Sequence, residues 1–457
     1  MSKRCSLLLA VWLFASTASA QTTVDLTLDE AGVVATQALL AGDTQLAFTI
    51  ADAVLAQQPD NRQALLVMAA AAPRLGDPAR GRQAGARAFA LSNEDIQRYE
   101  AARLTALAAA AEERFTLATF WLRRALNNAP NEAERERTIT DARNVSRRDP
   151  LSLRFSASIV PSNNVNGGAE DAESTAPGNP TGTLSEDALA LEGWRASLNL
   201  GASYRFQENP QSRSIAGINY QLGRVRITED TNVPDEAFDT AYYEFFLRHD
   251  RVLENGTVSF NGSLGTYEYR DLDLGDATTE FEKYDIWRLG ISRQLPISDR
   301  DVLSFSGTRE WLTYSTPGIG EVDRWIWRAG ISRGLENGDR ISGNLTLTFS
   351  EGDSVNFNSN EQTLSVNYGW AEQFGPVSFA AGGGVKWSDF PDYRLLLPVD
   401  GGRQDTTYFL NANVGFPDIE YFGFTPGLRI EVSEADSNVS RFDRTNYSVG
   451  LTLSSVF

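Results

Sequence analysis

The sequence predicts an α + β membrane protein. A short N-terminal α-helical solenoid of tetratricopeptide-like character precedes a C-terminal antiparallel transmembrane β-barrel of about fourteen strands. Three observations lead there. The chain opens with a secretion signal; past it no run of about eighteen apolar residues exists to form a transmembrane helix; and near residue 150 the apolar period changes from helical to two. A chain lacking an apolar helix crosses a bilayer only when its strands close on themselves and satisfy every backbone N–H and C=O.

The first element is the leader. Lys3 and Arg4 form a basic head, residues 7–14 are apolar, and Ala18-Ser19-Ala20 offers a small-x-small cleavage site. Residues 1–20 are therefore expected to be removed, leaving Gln21 first. Cys5, the one cysteine, lies inside this segment. The mature chain is thus expected to have no disulfide, no thiolate ligand and no cysteine for lipid attachment.

Residues 21–148 form the expected helical domain, rich in Ala, Leu and Arg. Gly42-Asp43 recurs as Gly76-Asp77 at a spacing of 34, and Glu112-Glu113 follows about 36 further on. Leu55-x-x-x-Pro59 recurs as Leu126-x-x-x-Pro130, each proline followed by an Asp or Asn helix start. Small residues at Ala47, Ala51, Gly81, Gly85, Ala118 and Ala125 let paired helices approach closely. Phe48, Phe115, Phe120 and Trp121 are expected to pack inward. About three repeat units result, the minimum for a self-supporting stack, and such a stack offers a concave surface for a client.

Residues 149–457 read as the barrel. Phe424, Pro426, Leu428, Ile430 and Val432 alternate with Thr425, Gly427, Arg429 and Glu431, and Ile341 to Phe349 alternates with Ser342, Asn344, Thr346 and Thr348. Strands are expected at 151–160, 188–205, 212–227, 239–251, 255–269, 281–295, 300–313, 322–334, 338–350, 360–373, 376–388, 403–415, 422–432 and 443–457. Their even number suits a single-chain outer-membrane barrel. Short turns such as Glu254-Asn255-Gly256 alternate with longer Asp/Asn/Gly-rich loops, the longest at about 161–187. That asymmetry places the helices and the C-terminus together in the periplasm. Trp287-Arg288-Leu289-Gly290-Ile291-Ser292-Arg293 returns forty residues later as Trp327-Arg328-Ala329-Gly330-Ile331-Ser332-Arg333. The tryptophans fall in the lipid phase; Arg288, Arg328 and Arg429 fall in the lumen phase. Tyr447, Val449, Leu451 and Leu453, closed by Phe457, resemble the C-terminal signal read by the barrel assembly machinery.

Little suggests catalysis. His249 is the one histidine, which excludes His/Cys metal centres; a Ser-His-Asp triad would have to use it, and no Ser sits two residues beyond it as in outer-membrane lipases. No enzyme activity, metal or cofactor is expected. Asp271-Leu272-Asp273-Leu274-Gly275-Asp276 lacks the closing Glu of a calcium loop and reads as a solvated loop. Gly382-Gly383-Gly384 lacks a following Lys-Ser/Thr and reads as a crowded strand, not a phosphate cradle. The formal charge is −19, and residues 21–150 hold fifteen arginines against seventeen acids, so the excess lies in the barrel. Such acidity argues against nucleic-acid partners.

Several phrases carry a family resemblance. Phe155-Ser156-Ala157-Ser158 with Pro161-x-Asn163-Asn164-x-Asn166, Gly402-Arg403-x-Asp405-x-x-Tyr408, and Phe424-Thr425-Pro426-x-Leu428 with Phe442-Asp443-Arg444-x-x-Tyr447 together resemble the surface lipoprotein assembly modifiers. The resemblance implies an outer-membrane factor that helps display particular lipoproteins, or secreted proteins, at the cell surface. Its implied partners are outer-membrane lipids, the client, periplasmic chaperones and the barrel assembly machinery. The helical repeats would capture the client and the barrel would pass it outward. A porin-like channel and a polysaccharide exporter with helical repeats are the alternatives.

Overall fold

Among the described residues, seven α-helices come first and a closed sheet of fourteen strands follows. The computed structural model describes residues 27–273, 278–419 and 424–455. The leader expected at 1–20, with Cys5, and Phe422, Gly275, Asp276 and Phe457 lie outside the described residues.

The helices are α1 (Leu28–Leu40), α2 (Thr44–Gln57), α3 (Arg62–Ala71), α4 (Pro78–Ala90), α5 (Asp95–Ala111), α6 (Phe115–Leu126) and α7 (Glu132–Arg148). Their starts follow from local chemistry. Asp43, Asn61, Asp77 and Asn131 each accept from a backbone N–H of the first turn, and Thr27 with Glu30 forms a capping box. Gly42 and Gly76 end the preceding helical segments at φ 85° and 87°, a left-handed conformation that glycine adopts without strain. Alanine dominates the core: Ala35, Ala47, Ala51, Ala64, Ala72, Ala88 and Ala101 are fully buried, with Leu65, Val67 and Met68 between them. A second cluster gathers Tyr99, Trp121 and Leu122. Phe48 and Phe115 pack partly against these clusters. Phe120 departs from expectation. It is 47% exposed and lies edge-on against Trp121, because α6 turns that face away from its neighbours.

The barrel strands are β1 (Leu151–Ser162), β2 (Gly193–Asn209), β3 (Ser212–Ile227), β4 (Thr240–Leu253), β5 (Gly256–Asp273), β6 (Thr278–Pro296), β7 (Asp301–Tyr314), β8 (Glu321–Gly334), β9 (Arg340–Gly352), β10 (Ser359–Gly369), β11 (Ser378–Phe390), β12 (Arg403–Gly415), β13 (Phe424–Ser437) and β14 (Arg444–Ser455). Each pairs antiparallel with its sequence neighbour, and β14 closes on β1. Five strand boundaries move by four or five residues, including ends expected at 205, 373 and 432 that fall at Asn209, Gly369 and Ser437. The second strand starts at Gly193 and not 188, because residues 186–188 form a 3-10 turn within the first long loop. Asp271, Leu272 and Asp273, expected in a loop, continue β5 against Glu280, Thr279 and Thr278. Alternation of an extended hairpin outweighed their acidity.

The register sorts every strand into two faces. Leu345 stands beside Ala329 and Leu364, and Leu410 beside Gly383 and Val432. These and Phe155, Phe245, Leu289, Trp327 and Leu451 are exposed large apolar side chains, as a wall facing lipid requires. Trp325 and Trp327 stack on this face. The run Gly382-Gly383-Gly384 sits where a Cβ on Gly384 would lie 2.3 Å from the Leu364 carbonyl oxygen. A closed barrel with an apolar exterior and a polar interior is an outer-membrane architecture.

Candidate functional site

The site is the barrel interior with its two ends. Because residues alternate along each strand, inward positions are fixed once one face meets lipid. Arg288, Arg328 and Arg429 all stand on the inward face, opposite in phase to Trp287, Trp327 and Leu428. They differ in their surroundings.

Arg288 on β6 is held fast. Its guanidinium donates to Glu310 at 2.6 Å, to Glu244 at 2.9 Å and to the Tyr242 hydroxyl. Glu310 also accepts from Arg324, which bonds Ser350 in turn, and Glu244 accepts from Asn219. An ionic belt thus runs across the inner wall from β3 to β9. Beyond it, Tyr267, Tyr284, Tyr314 and Phe357 stack in series with centroids 4.7–5.3 Å apart. Tyr284, Tyr314 and Phe357 cover the buried Ile286, Leu312 and Val322. Arg328 is exposed and has no ion-pair partner among the described residues. Arg429 pairs at 2.6 Å with Glu431 two residues along its own strand.

The wall near the β1–β14 closure is different in kind. Ser156, Ser158, Ser197, Asn199, Ser448, Gly450 and Thr452 line a polar space of about 790 Å³. Linked charged groups and stacked aromatics crowd one wall, while the other is mostly small and polar, with Arg195, Arg429 and Glu431 among the hydroxyls.

At the end far from the helices the loops lock together. The first long loop, 163–192, crosses to the loops at 391–402 and 438–443: Thr175 and Ser440 exchange bonds of 2.9 Å, and Asp400 N–H donates to the Pro177 carbonyl. Arg403 lies between the rings of Phe390 and Phe442 at 3.6 and 3.8 Å, and pairs with Asp405. The Asn163 side chain donates to the Thr445 carbonyl and accepts from Tyr447 N–H, tying β1 to β14 at this end.

At the other end the helices meet the rim. Arg205 of β2 donates to the carbonyls of Arg147 and Asp149, each at 3.0 Å. Arg123 of α6 stacks over Phe424 at 4.6 Å, at the start of β13. The helical domain is therefore moored beside β1, β2 and β13, on either side of the closure.

Tyr447, Val449, Leu451 and Leu453 are all exposed on the outward face of β14. His249 lies at the helix-side rim, where its Nδ1 bonds Ser214 Oγ at 2.8 Å, and among the described residues no carboxylate bonds the ring. Sequence reasoning missed Glu244, Glu310 and the tyrosine stack. Their signal is faint, since inward acids and tyrosines become partners only after the register aligns separate strands.

The comparisons with known proteins bear on this geometry at the C-terminal end. Residues 336–457 match the surface lipoprotein assembly modifier family. The assembly-modifier match spans β9 to β14, including the Asn163-bonded residues Thr445 and Tyr447. Among solved structures, Acinetobacter baumannii OccAB3 is similar at 11% identity, over 66% of this chain and 98% of that one, with a TM-score of 0.34. Pseudomonas putida OprB is similar at 12% identity, over 69% and 96%, with a TM-score of 0.37. No curated protein matches the chain.

Proposed function

We propose that this protein helps place lipoproteins on the outer surface of the outer membrane. The family match over residues 336–457 carries the reading. Two features support it. The helical domain is moored at the barrel rim, where it meets clients arriving through the periplasm. The interior beside the closure is lined largely by Ser, Asn, Gly and Thr, and Arg429 and Glu431 there neutralise each other, so a polypeptide meets a mostly polar path.

In this reading the helices bind the client and the barrel guides it outward. No nucleotide-driven step is required; binding and release supply the direction. Surface-shaving proteomics on intact cells tests it, comparing wild type with a strain lacking this chain. Loss of one or a few lipoproteins from the surface, with their total amount unchanged, supports display and names the client. An unchanged surface proteome overturns it.

A second reading, a solute channel, is favoured by Arg328, an inward cation without an ionic partner among the described residues. Single-channel conductance of the purified protein that shifts its ion preference on Arg328→Glu would support that reading.

A further inference from the structure

We propose that the lipid-facing wall of β4–β9 binds an anionic phospholipid at its helix-side end, with the phosphate held between Arg251 and Arg293 and the acyl chains lying in two apolar grooves beside them. The inference goes beyond the display reading and shares with it only the placement of the helices in the periplasm.

Register brings the two cations together. Arg251 of β4 stands opposite Val258 of β5, and Val258 stands opposite Arg293 of β6. All three share the outward phase of the exposed Leu247, Phe260 and Ile291. Two strand spacings put the arginines about 10 Å apart, close enough for both long side chains to converge on one group between them. Leu253 ends β4 two residues on, and Pro296 ends β6 three residues on, so the pair lies at the level of lipid headgroups.

The chain itself leaves both charges unanswered. Among the described residues, the other outward arginines, Arg224, Arg226, Arg309 and Arg333, each hold a carboxylate at 2.6–3.5 Å. Arg251 has no side-chain partner among those residues. Arg293 bonds only Asn255, through Nη2, and its Nη1 is buried without an acceptor. Glu254, in the turn between β4 and β5, pairs with neither arginine. A phosphate supplies what is missing, because its oxygens accept the forked donors of a guanidinium and cancel its charge.

The wall beside this pair has room for the rest of the molecule. Val258 and Arg293 open onto a groove of about 430 Å³ walled by Ile291, Phe305, Trp327 and Leu345, where Gly307 and Ala329 leave the floor low. A second groove, of about 550 Å³, lies among Leu247, Leu264, Trp287 and Leu289 over Gly262. Flexible acyl chains fill such irregular apolar hollows, and two grooves under one cationic pair match a head with one phosphate and two chains. With the helices in the periplasm this is the inner leaflet, whose lipid is phospholipid and not lipopolysaccharide. A net negative headgroup suits two arginines better than a zwitterionic one, whose own ammonium competes for the phosphate.

Native mass spectrometry of the purified full chain in detergent, titrated with phosphatidylglycerol, tests the site. The wild type should retain this lipid in preference to phosphatidylethanolamine. Arg251→Ala with Arg293→Ala should weaken retention about tenfold, the loss expected for two charge-assisted contacts at an exposed site. Arg333→Ala should leave it unchanged, since that arginine already holds Asp301. Ala329→Phe fills the first groove and should weaken long-chain phosphatidylglycerol several-fold while sparing the dihexanoyl form. Heat-modifiable migration on a gel checks that each variant is folded. Equal retention by the wild type and the double arginine variant overturns the proposal, as does equal retention of phosphatidylethanolamine. Lipid A displacing phosphatidylglycerol from the wild type would overturn the assignment to the inner leaflet. Surface shaving tests display separately, so either reading can fail alone.

Discussion

Glu310 accepts from two arginines and sits 7% exposed, so its charge depends on both. Arg288→Ala would leave Glu244 without its cation and Glu310 with Arg324 alone; removing one partner of a poorly solvated pair costs on the order of 3 kcal/mol. Arg328, with no ion pair among the described residues, should cost within about 0.5 kcal/mol when replaced by Ala. Urea unfolding of the two variants in detergent should therefore separate them clearly. In the helical domain, the Arg82 guanidinium holds the Glu112 carboxyl below its usual range by hydrogen bonding. A carboxylate depressed in the folded state contributes fully above its unfolded pKa of about 4 and loses that contribution as pH falls through the lowered value. Arg82→Ala should therefore lower the helical melting temperature near neutral pH and leave it almost unchanged at about pH 3, read by circular dichroism. Arg288 and Arg328 show what one chain can reveal at this scale. Their near-identical sequence phrases give the same phase, yet one is locked and the other open, because partners come from β4 and β7.

Elements were legible where a local rule sufficed. Turn glycines and Asn or Asp caps marked the helix starts, and two-residue alternation marked all fourteen strands. Boundaries failed where competing rules applied: residues 188–192 alternate in a way that suits a strand but are held in loop structure around the buried Leu191 and Val165. Phe120 failed similarly, since aromatic spacing gives a helix face but not whether a neighbour covers it. The triple glycine of β11 makes a sharp element-scale prediction. Gly384→Val would drive a side chain into the Leu364 carbonyl and the Phe409 ring. The inward wall cannot yield at a backbone oxygen, so the variant should lose heat-modifiable migration on a gel, the mark of a folded barrel. Gly318→Ala, where a Cβ meets open space but φ is +85°, should fold and cost only about 1 kcal/mol in backbone strain.

For the whole molecule, the sequence revealed the class and the strand count because amphipathic alternation is written along each strand. It did not reveal how the far loops interlock, since those bonds join residues such as Thr175 and Ser440 that no periodicity connects. Arg403 is the centre of that latch. Arg403→Ala removes the cation between Phe390 and Phe442 and should expose the loop at 391–402 to added protease on intact cells, with the strands still protected.

Neighbour-only pairing also sets an order of assembly. Thirteen of the contacts between adjacent strands join consecutive segments, and each forms as a hairpin as soon as both are present. The fourteenth joins Ser158 to Thr452, the first strand to the last. Hairpins need close only short loops, while this final contact must wait for nearly the whole chain. A barrel of this kind is a curling ribbon whose first edge stays bare until the last strand arrives. Whatever holds that edge in the meantime acts as a timer, and the strand made first is the last to be completed.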